Sequence, residues 1–372
     1  MSSRYPAGVR PCWAEVSLSR LEENLQGVRR HIGAPRVDVC CVVKADAYGH
    51  GAVPVSQFLQ TLGVRRFAVA SVEEGVELRQ NGVDGEILVT CGAPASQERI
   101  AAQQELTVTI HSLEECDRLI AANMAVRAHL KLNSGMNRLG LSQSGLDEAC
   151  RRLRESPIEI TGVYSHYSSS DEENEAFSRR QIELFESETG RRALGVRHLA
   201  NSAGLRFREG LFDFVRVGIL LYGYNPAPAH LPVDVKPALT WKTRALQFDD
   251  LPAGSPISYS RTFVTERPTR TAILAVGYAD GFSRKFSNRG YVLVDGQACR
   301  ILGNVTMDMT VVDVTEARVN ADSEFVIVGD GRDAAHLAAD LGTISWEVLC
   351  GIGRRVTRVY VQGTSEKGQE YK

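Results

Sequence analysis

Residues 40–51, CCVVKADAYGHG, place one lysine where an apolar run gives way to a polar segment. A run such as Val37–Val43 reads as a buried strand of an α/β protein, and residues just past the carboxyl ends of such strands point into the cleft where these folds do chemistry. Lys44 is therefore a candidate for a desolvated, reactive amine, although a lysine at a strand end is commonly a solvated cap. Other apolar runs end in the same way. Tyr48 follows the run of Lys44, Asn133 to Arg138 follow another, and His166, then Asn201 with Ser202, then Arg216 with Gly218 close three more. No run is followed by the spaced glycines of a dinucleotide site or P-loop, and no His, Asp and Glu cluster has metal-ligand spacing, so no metal is expected. An amine, hydroxyl and amide donors, and arginines without a metal suit an anionic, aromatic, carbonyl-bearing cofactor such as pyridoxal 5'-phosphate (PLP). Its aldehyde takes a lysine as a Schiff base, its phosphate takes hydroxyl and backbone N–H donors, and its ring nitrogen takes one defined partner.

The elements that must position these residues alternate. Eight candidate strands lie at Val37–Val43, Phe67–Ala70, Ile87–Thr90, Thr107–Ile110, Ala128–Leu132, Ile160–Val163, His198–Ala200 and Phe214–Val217, and amphipathic stretches such as Val72–Gln80, Leu113–Ala122 and Glu172–Glu188 separate most of them. Eight alternations in roughly 200 residues predict a closed (β/α)8, TIM-like barrel, which aims its strand ends at one mouth. Prolines 226, 228, 232 and 237 then mark a linker,. Beyond it the period becomes two, with strand-like segments at Leu239–Phe248, Thr271–Val276, Tyr291–Val294, Thr310–Val314, Phe325–Val328 and Val356–Val361,. The expected division is a barrel over 1–235 and a mainly β domain over 236–372, with the first strand, around 13–18, able to belong to either.

A net charge of -2 gives no broad basic field, so neither nucleic acid nor an anionic membrane is expected as partner,. No apolar stretch reads as a signal peptide or membrane span, which predicts a cytoplasmic protein. The eight cysteines have no paired spacing and are expected as reduced thiols, mostly in the core, with Cys40 and Cys41 serving as small apolar packing,. The tail SEKGQEYK is polar and expected to fray,.

These residues also carry a family likeness. VVKADAYGHG (Val42–Gly51), KLNSGMNRLG (Lys131–Gly140), GVYSHYSSSDE (Gly162–Glu172), ANSA (Ala200–Ala203) and FVRVGILLYG (Phe214–Gly223) resemble, in order, motifs of the PLP-dependent alanine racemases. In the second half ISYSRTF (Ile257–Phe263), VGYADG (Val276–Gly281) and MDM (Met307–Met309) continue the series. The resemblance spans nearly the whole chain. It implies a homodimer that racemises alanine to supply D-alanine for peptidoglycan, with the β domain of one subunit closing the barrel mouth of the other.

By that resemblance Lys44 and the partner's Tyr259 are the two acid–base groups, one for each face of the substrate. Tyr48, Ser202 and the N–H groups of Gly218 and Ile219 are expected to hold the cofactor phosphate. Arg216 is expected to face the ring nitrogen, with His166 linking it to the tyrosine. Arg138 is expected near the cofactor phenolic oxygen and the substrate carboxylate, oriented by Lys131 if that lysine is carbamylated. Met307 offers a backbone N–H to the substrate carboxylate, and Tyr278 and Asp308 line the entrance. Arg354 and Thr357 depart from the family pattern, where a phosphate-contacting tyrosine and a proline are expected. The departure bears on substrate range, and the alternative is a serine or broad-specificity amino-acid racemase on the same scaffold. A PLP-binding regulatory protein and a barrel-type decarboxylase are the more distant readings.

Overall fold

Strands buried on both faces are what a parallel barrel requires, and the first half of the chain supplies them. The computed structural model describes residues 10–362. The N-terminal nine residues and the tail SEKGQEYK, with the expectations attached to them, lie outside the described residues. The chain forms two compact units, one of Arg20–Lys236 and one of Met1–Ser19 with Pro237–Lys372.

In the first unit eight parallel strands run in the order β8-β7-β6-β5-β4-β3-β2-β9. They are β2 (Asp38–Val42), β3 (Arg66–Val69), β4 (Glu86–Val89), β5 (Thr107–Ile110), β6 (Val126–Lys131), β7 (Ile158–Tyr164), β8 (Val196–His198) and β9 (Phe214–Val217), after β1 (Cys12–Ser17), which belongs to the other unit. The barrel is nearly closed. Between β8 and β9 the Asp213 N–H donates to Arg197 O at 3.0 Å and the Arg216 N–H to Ala200 O at 2.9 Å. Both β5 and β9 are buried at every residue. Inside, Cys40, Ala68, Leu88 and Phe214 pack together with Val42 and Val196 against them. Truncating Phe214 to alanine there would cost about 3–5 kcal/mol. Helices return the chain outside the barrel, and three of them start on serines, Ser71, Ser112 and Ser142, whose side chains accept from an N–H three residues on. Each such cap is worth about 1 kcal/mol.

The second unit is built on a nine-stranded sheet in the order β11-β14-β17-β16-β15-β18-β10-β1-β19. Its strands are β10 (Leu239–Thr243), β11 (Ala245–Leu251), β14 (Thr269–Leu274), β15 (Tyr291–Val294), β16 (Gln297–Leu302), β17 (Thr310–Asp313), β18 (Phe325–Val328) and β19 (Thr357–Val361), and β12 (Pro256–Ile257) pairs with β13 (Phe263–Val264) as a separate ribbon. Here β1 pairs antiparallel with β10 and parallel with β19. Among the described residues no helix is long and apolar enough to cross a membrane. Five of the eight cysteines are buried, including Cys40 and Cys41.

Candidate active site

Lys44 stands where β2 ends, half-buried, and the chain then turns the wrong way for L-residues. Ala45, Asp46, Ala47 and Tyr48 all have φ between 52° and 54°. A left-handed turn of this kind costs about 1–2 kcal/mol per residue and persists only where its surroundings hold it. The Ala45 N–H donates to one Glu74 oxygen at 2.6 Å while the other accepts from Ala70 N–H at 2.7 Å. Asp46 accepts from Ala52 N–H at 2.8 Å. One carboxylate from the helix after β3 therefore pins the segment that follows the lysine.

The turn brings Tyr48 over the end of β9. A Cβ built on Gly218 would lie 2.5 Å from the Tyr48 hydroxyl, so only glycine leaves room there. The Gly218 N–H donates to Ser202 Oγ at 3.1 Å, and Ile219 follows, buried. A tyrosine hydroxyl, a serine hydroxyl and the Gly218 backbone meet here, a donor set whose chemistry fits a phosphate,. This is the fit expected for PLP.

Arg216 is buried in the barrel. Its Nη1 donates to His198 Nδ1 at 2.6 Å, and its Nη2 donates to Ser165 O at 2.8 Å, Leu199 O at 3.0 Å and His166 Nδ1 at 3.1 Å. Burial lowers its pKa below the ordinary arginine value, yet an arginine remains a donor throughout the working range. His166 is held well below the usual imidazole value by burial first, then by Arg216, Lys131, Arg138 and Lys44. It is thus neutral, accepts at Nδ1 and carries its hydrogen on Nε2. Gln181 braces it by donating to His166 O at 3.0 Å and to Ser134 Oγ at 3.1 Å.

Lys131 ends β6, only 6% exposed. Burial, then the charges of Arg216 and Arg138, bring its pKa down from 10.5 to about 8. Its ammonium lies 5.4 Å from the Tyr164 ring centre. Arg138 is exposed on the turn after β6, and its charge reaches both Lys131 and His166.

In the second unit, Tyr259 lies in the connection between β12 and β13 and is 75% exposed. Its flanks Ser258, Ser260 and Arg261 have φ of 61°, 61° and 50°, and its carbonyl accepts from Asn304 Nδ2 at 2.8 Å. Met307 and Tyr278 are also exposed. Asp280, fully buried, joins their two loops: it receives Arg10 at 2.5 Å and Arg355 at 3.0 Å, while Arg355 also reaches Asp308 at 2.7 Å. Arg354 is exposed.

Lys44, Tyr48, Lys131, Arg138, His166, Ser202, Arg216, Gly218 and Ile219 thus lie in one unit, and Tyr259 and Met307 in the other. Sequence reasoning missed Glu74, Gln181 and His198 as parts of the site. His198 follows Arg197 in a strand of three residues, so no single titratable side chain stood out there. Glu74 and Gln181 sit on amphipathic helices where a polar residue carries no signal either.

Comparison with known proteins gives the same outline. Residues 16–226 match the alanine racemase N-terminal domain and residues 238–360 the alanine racemase C-terminal domain. The chain is 40% identical to alanine racemase of Carboxydothermus hydrogenoformans over 95% of its own length and 100% of that protein. It is also 40% identical to the enzyme of Symbiobacterium thermophilum, over 95% and 98% of the two chains. Among solved structures, alanine racemase of Clostridium difficile superposes with a TM-score of 0.91 at 31% identity, covering 95% of this chain and 96% of that one. The Bacillus anthracis alanine racemase with bound L-Ala-P superposes with a TM-score of 0.90 at 30% identity, covering 96% of each. With both domains matched in order along a shared architecture, this chain belongs to the alanine racemase family.

Proposed function

We propose that this protein is a PLP-dependent racemase that interconverts L-alanine and D-alanine, acting in the cytoplasm as a homodimer with shared sites and supplying D-alanine for peptidoglycan. The observation that carries the reading is Arg216, a buried guanidinium that ends a barrel strand beside the Gly218 cradle. A donor that does not release its proton suits a pyridine nitrogen kept neutral. When bound, PLP supplies a carbonyl that condenses with amines and a conjugated ring that takes up negative charge left at the substrate Cα.

The remaining work falls to the chain. Lys44 holds the cofactor through its amine, and Tyr48, Ser202 and the N–H groups of Gly218 and Ile219 hold the phosphate. Arg216 would donate to the ring nitrogen without giving up its proton, so the ring would be a modest electron sink. Lys44 takes or gives the proton on one face. Tyr259 of the partner subunit serves the other, and its high exposure in a single chain is consistent with a place in a second copy. His166 accepts from Arg216 at Nδ1, which leaves Nε2–H to donate toward the tyrosine oxygen and favour its ionised form. Lys131, with an unusually large neutral fraction for a lysine, takes up carbon dioxide as a carbamate and orients Arg138 toward the substrate carboxylate. Met307 adds a backbone N–H to that carboxylate.

The test uses the purified holoprotein with L-alanine in deuterated water, following D-alanine formation and deuterium at Cα together. Inversion accompanied by solvent deuterium supports the two-base scheme, and exchange without inversion sinks it. Parallel assays with L-serine and L-lysine fix the substrate, because faster turnover of either would move the assignment to a serine or broad-specificity racemase.

A further inference from the structure

Three ionisable side chains inside the barrel have no part in the chemistry above: Glu86 at the start of β4, His129 on β6 and His198 on β8. Both histidines are fully buried and the Glu86 side chain is 16% exposed. They form a line that ends on Arg216. Arg216 Nη1 lies 2.6 Å from His198 Nδ1, His198 Nε2 lies 2.9 Å from His129 Nδ1, and His129 Nε2 lies 3.1 Å from Glu86 Oε1. The other Glu86 oxygen receives Arg66, which also reaches Asp38 at 3.2 Å at the amino-terminal end of the barrel.

The direction of the line is forced from the arginine. A guanidinium only donates, so His198 Nδ1 must carry a lone pair and His198 Nε2 the hydrogen. That hydrogen points at His129 Nδ1, which must then accept, so the His129 hydrogen sits on Nε2 and faces a carboxylate that only accepts. A proton added to either ring would set two donors against each other. Burial, then Arg216 and His129, hold the His198 imidazole well below its ordinary value, consistent with the neutral form. The rings cannot swing away. His198 is stacked between Tyr164 at 4.7 Å and Phe214 at 4.0 Å, and a Cβ on Gly162 would lie 2.6 Å from His129 Nε2. Glu86 Oε1 is close to that Nε2 but off the N–H axis, so charge more than a straight hydrogen bond makes the last link. Among the described residues no carboxylate pairs with Arg216 directly.

We propose that Glu86 is a positioning residue that acts through His129 and His198, giving the Nε2–H end of the line that Arg216 directs a negative counter-charge, so that both rings and the guanidinium they meet are held in place. The proposal rests on the reading that places Arg216 at the cofactor ring nitrogen. A shift in the guanidinium would then be felt by the cofactor at the far end of the barrel from the carboxylate.

The test compares wild type, Glu86→Gln, which keeps an acceptor, and Glu86→Leu, which removes it. In apoprotein labelled with 15N-histidine, all three should show His129 and His198 as Nε2–H tautomers, with the His129 Nε2 resonance near its wild-type position in Glu86→Gln and displaced in Glu86→Leu. In the holoprotein Glu86→Leu should weaken PLP binding by about tenfold, near 1.4 kcal/mol, and shift the visible absorption maximum, while Glu86→Gln stays near wild type. A wild-type His198 protonated at Nδ1, or a Glu86→Leu His129 resonance identical to wild type, would overturn the chain. A displaced resonance with unchanged PLP affinity and absorption would overturn the positioning role. An Arg216→Lys holoprotein that absorbs like wild type would overturn the placement of Arg216 and the proposal with it, while the apoprotein spectra still report the chain separately.

Discussion

Replacing Lys131 by methionine should stabilise this protein at neutral pH in buffer free of carbon dioxide. Its side chain is 6% exposed, and its pKa falls from 10.5 to about 8, through burial first and then the nearby charges of Arg216 and Arg138. The sign follows from proton counting. Between about pH 8 and 10.5 the unfolded chain holds a proton on this lysine that the folded chain has released, so stability rises with pH across that window. Below about pH 8 both states are protonated and the folded state carries the full burden of a disfavoured buried cation, of order 3 kcal/mol. Methionine removes the charge at similar volume, so Lys131→Met should gain about 1–3 kcal/mol at pH 7 after loss of the weak contact with the Tyr164 ring,. The gain should shrink toward pH 10. Bicarbonate should stabilise wild type by converting the amine to an anion beside Arg138, and should leave Lys131→Met unmoved. Urea unfolding of the apoproteins at both pH values, with and without bicarbonate, reads all of this. A variant less stable than wild type at pH 7 in buffer free of carbon dioxide, with no bicarbonate effect on either, would refute the reasoning.

Gly218→Ala should lower PLP affinity by tenfold or more, because its Cβ would sit 2.5 Å from the Tyr48 hydroxyl, and fluorescence titration with PLP checks it. Unchanged affinity would contradict the cradle. Asp280→Asn should cost about 1–3 kcal/mol, because the buried carboxylate accepts from the Gly277 N–H on one oxygen and from Arg10 and Arg355 on the other, and an amide NH2 would leave one of these donors facing a donor,; denaturant unfolding reads it, and no measurable loss would contradict the pairing. Thiol labelling of the native protein should modify the exposed Cys91 and Cys350 first, while Cys40 and Cys41 resist. Burial pushes the Cys41 thiol up to about 12, and mass spectrometry of labelled peptides gives the order.

The strand ends were legible because apolar runs that stop at a lysine, a histidine or an arginine leave few other places for those residues. Arg216 is the plainest case: FVRV occupies β9 at each of its four residues. The turn after Lys44 was not legible. Ala45, Ala47 and Tyr48 have no preference for left-handed backbone, and the contact that holds them, Glu74, comes from a helix 29 residues later. The hairpin of β15 and β16 was half read, since Asp295–Gly296 marks the turn while QACRIL alternates too weakly to declare a strand. The Glu86–His129–His198 line was invisible for a related reason. Each member sits in a different strand, two of them alongside other charged residues, and only closure of the barrel brings three strands' inward faces together.

The central claim is that one subunit brings Lys44 and the other brings Tyr259. Lys44→Ala and Tyr259→Phe should each be nearly inactive as purified homodimers. After mixing, dissociation and reassociation, half of the dimers should pair one of each variant and contain one intact site. Alanine racemisation should then return to about one quarter of the wild-type rate for the same protein concentration. No recovery above the two separate variants, with subunit exchange confirmed, would contradict the shared site.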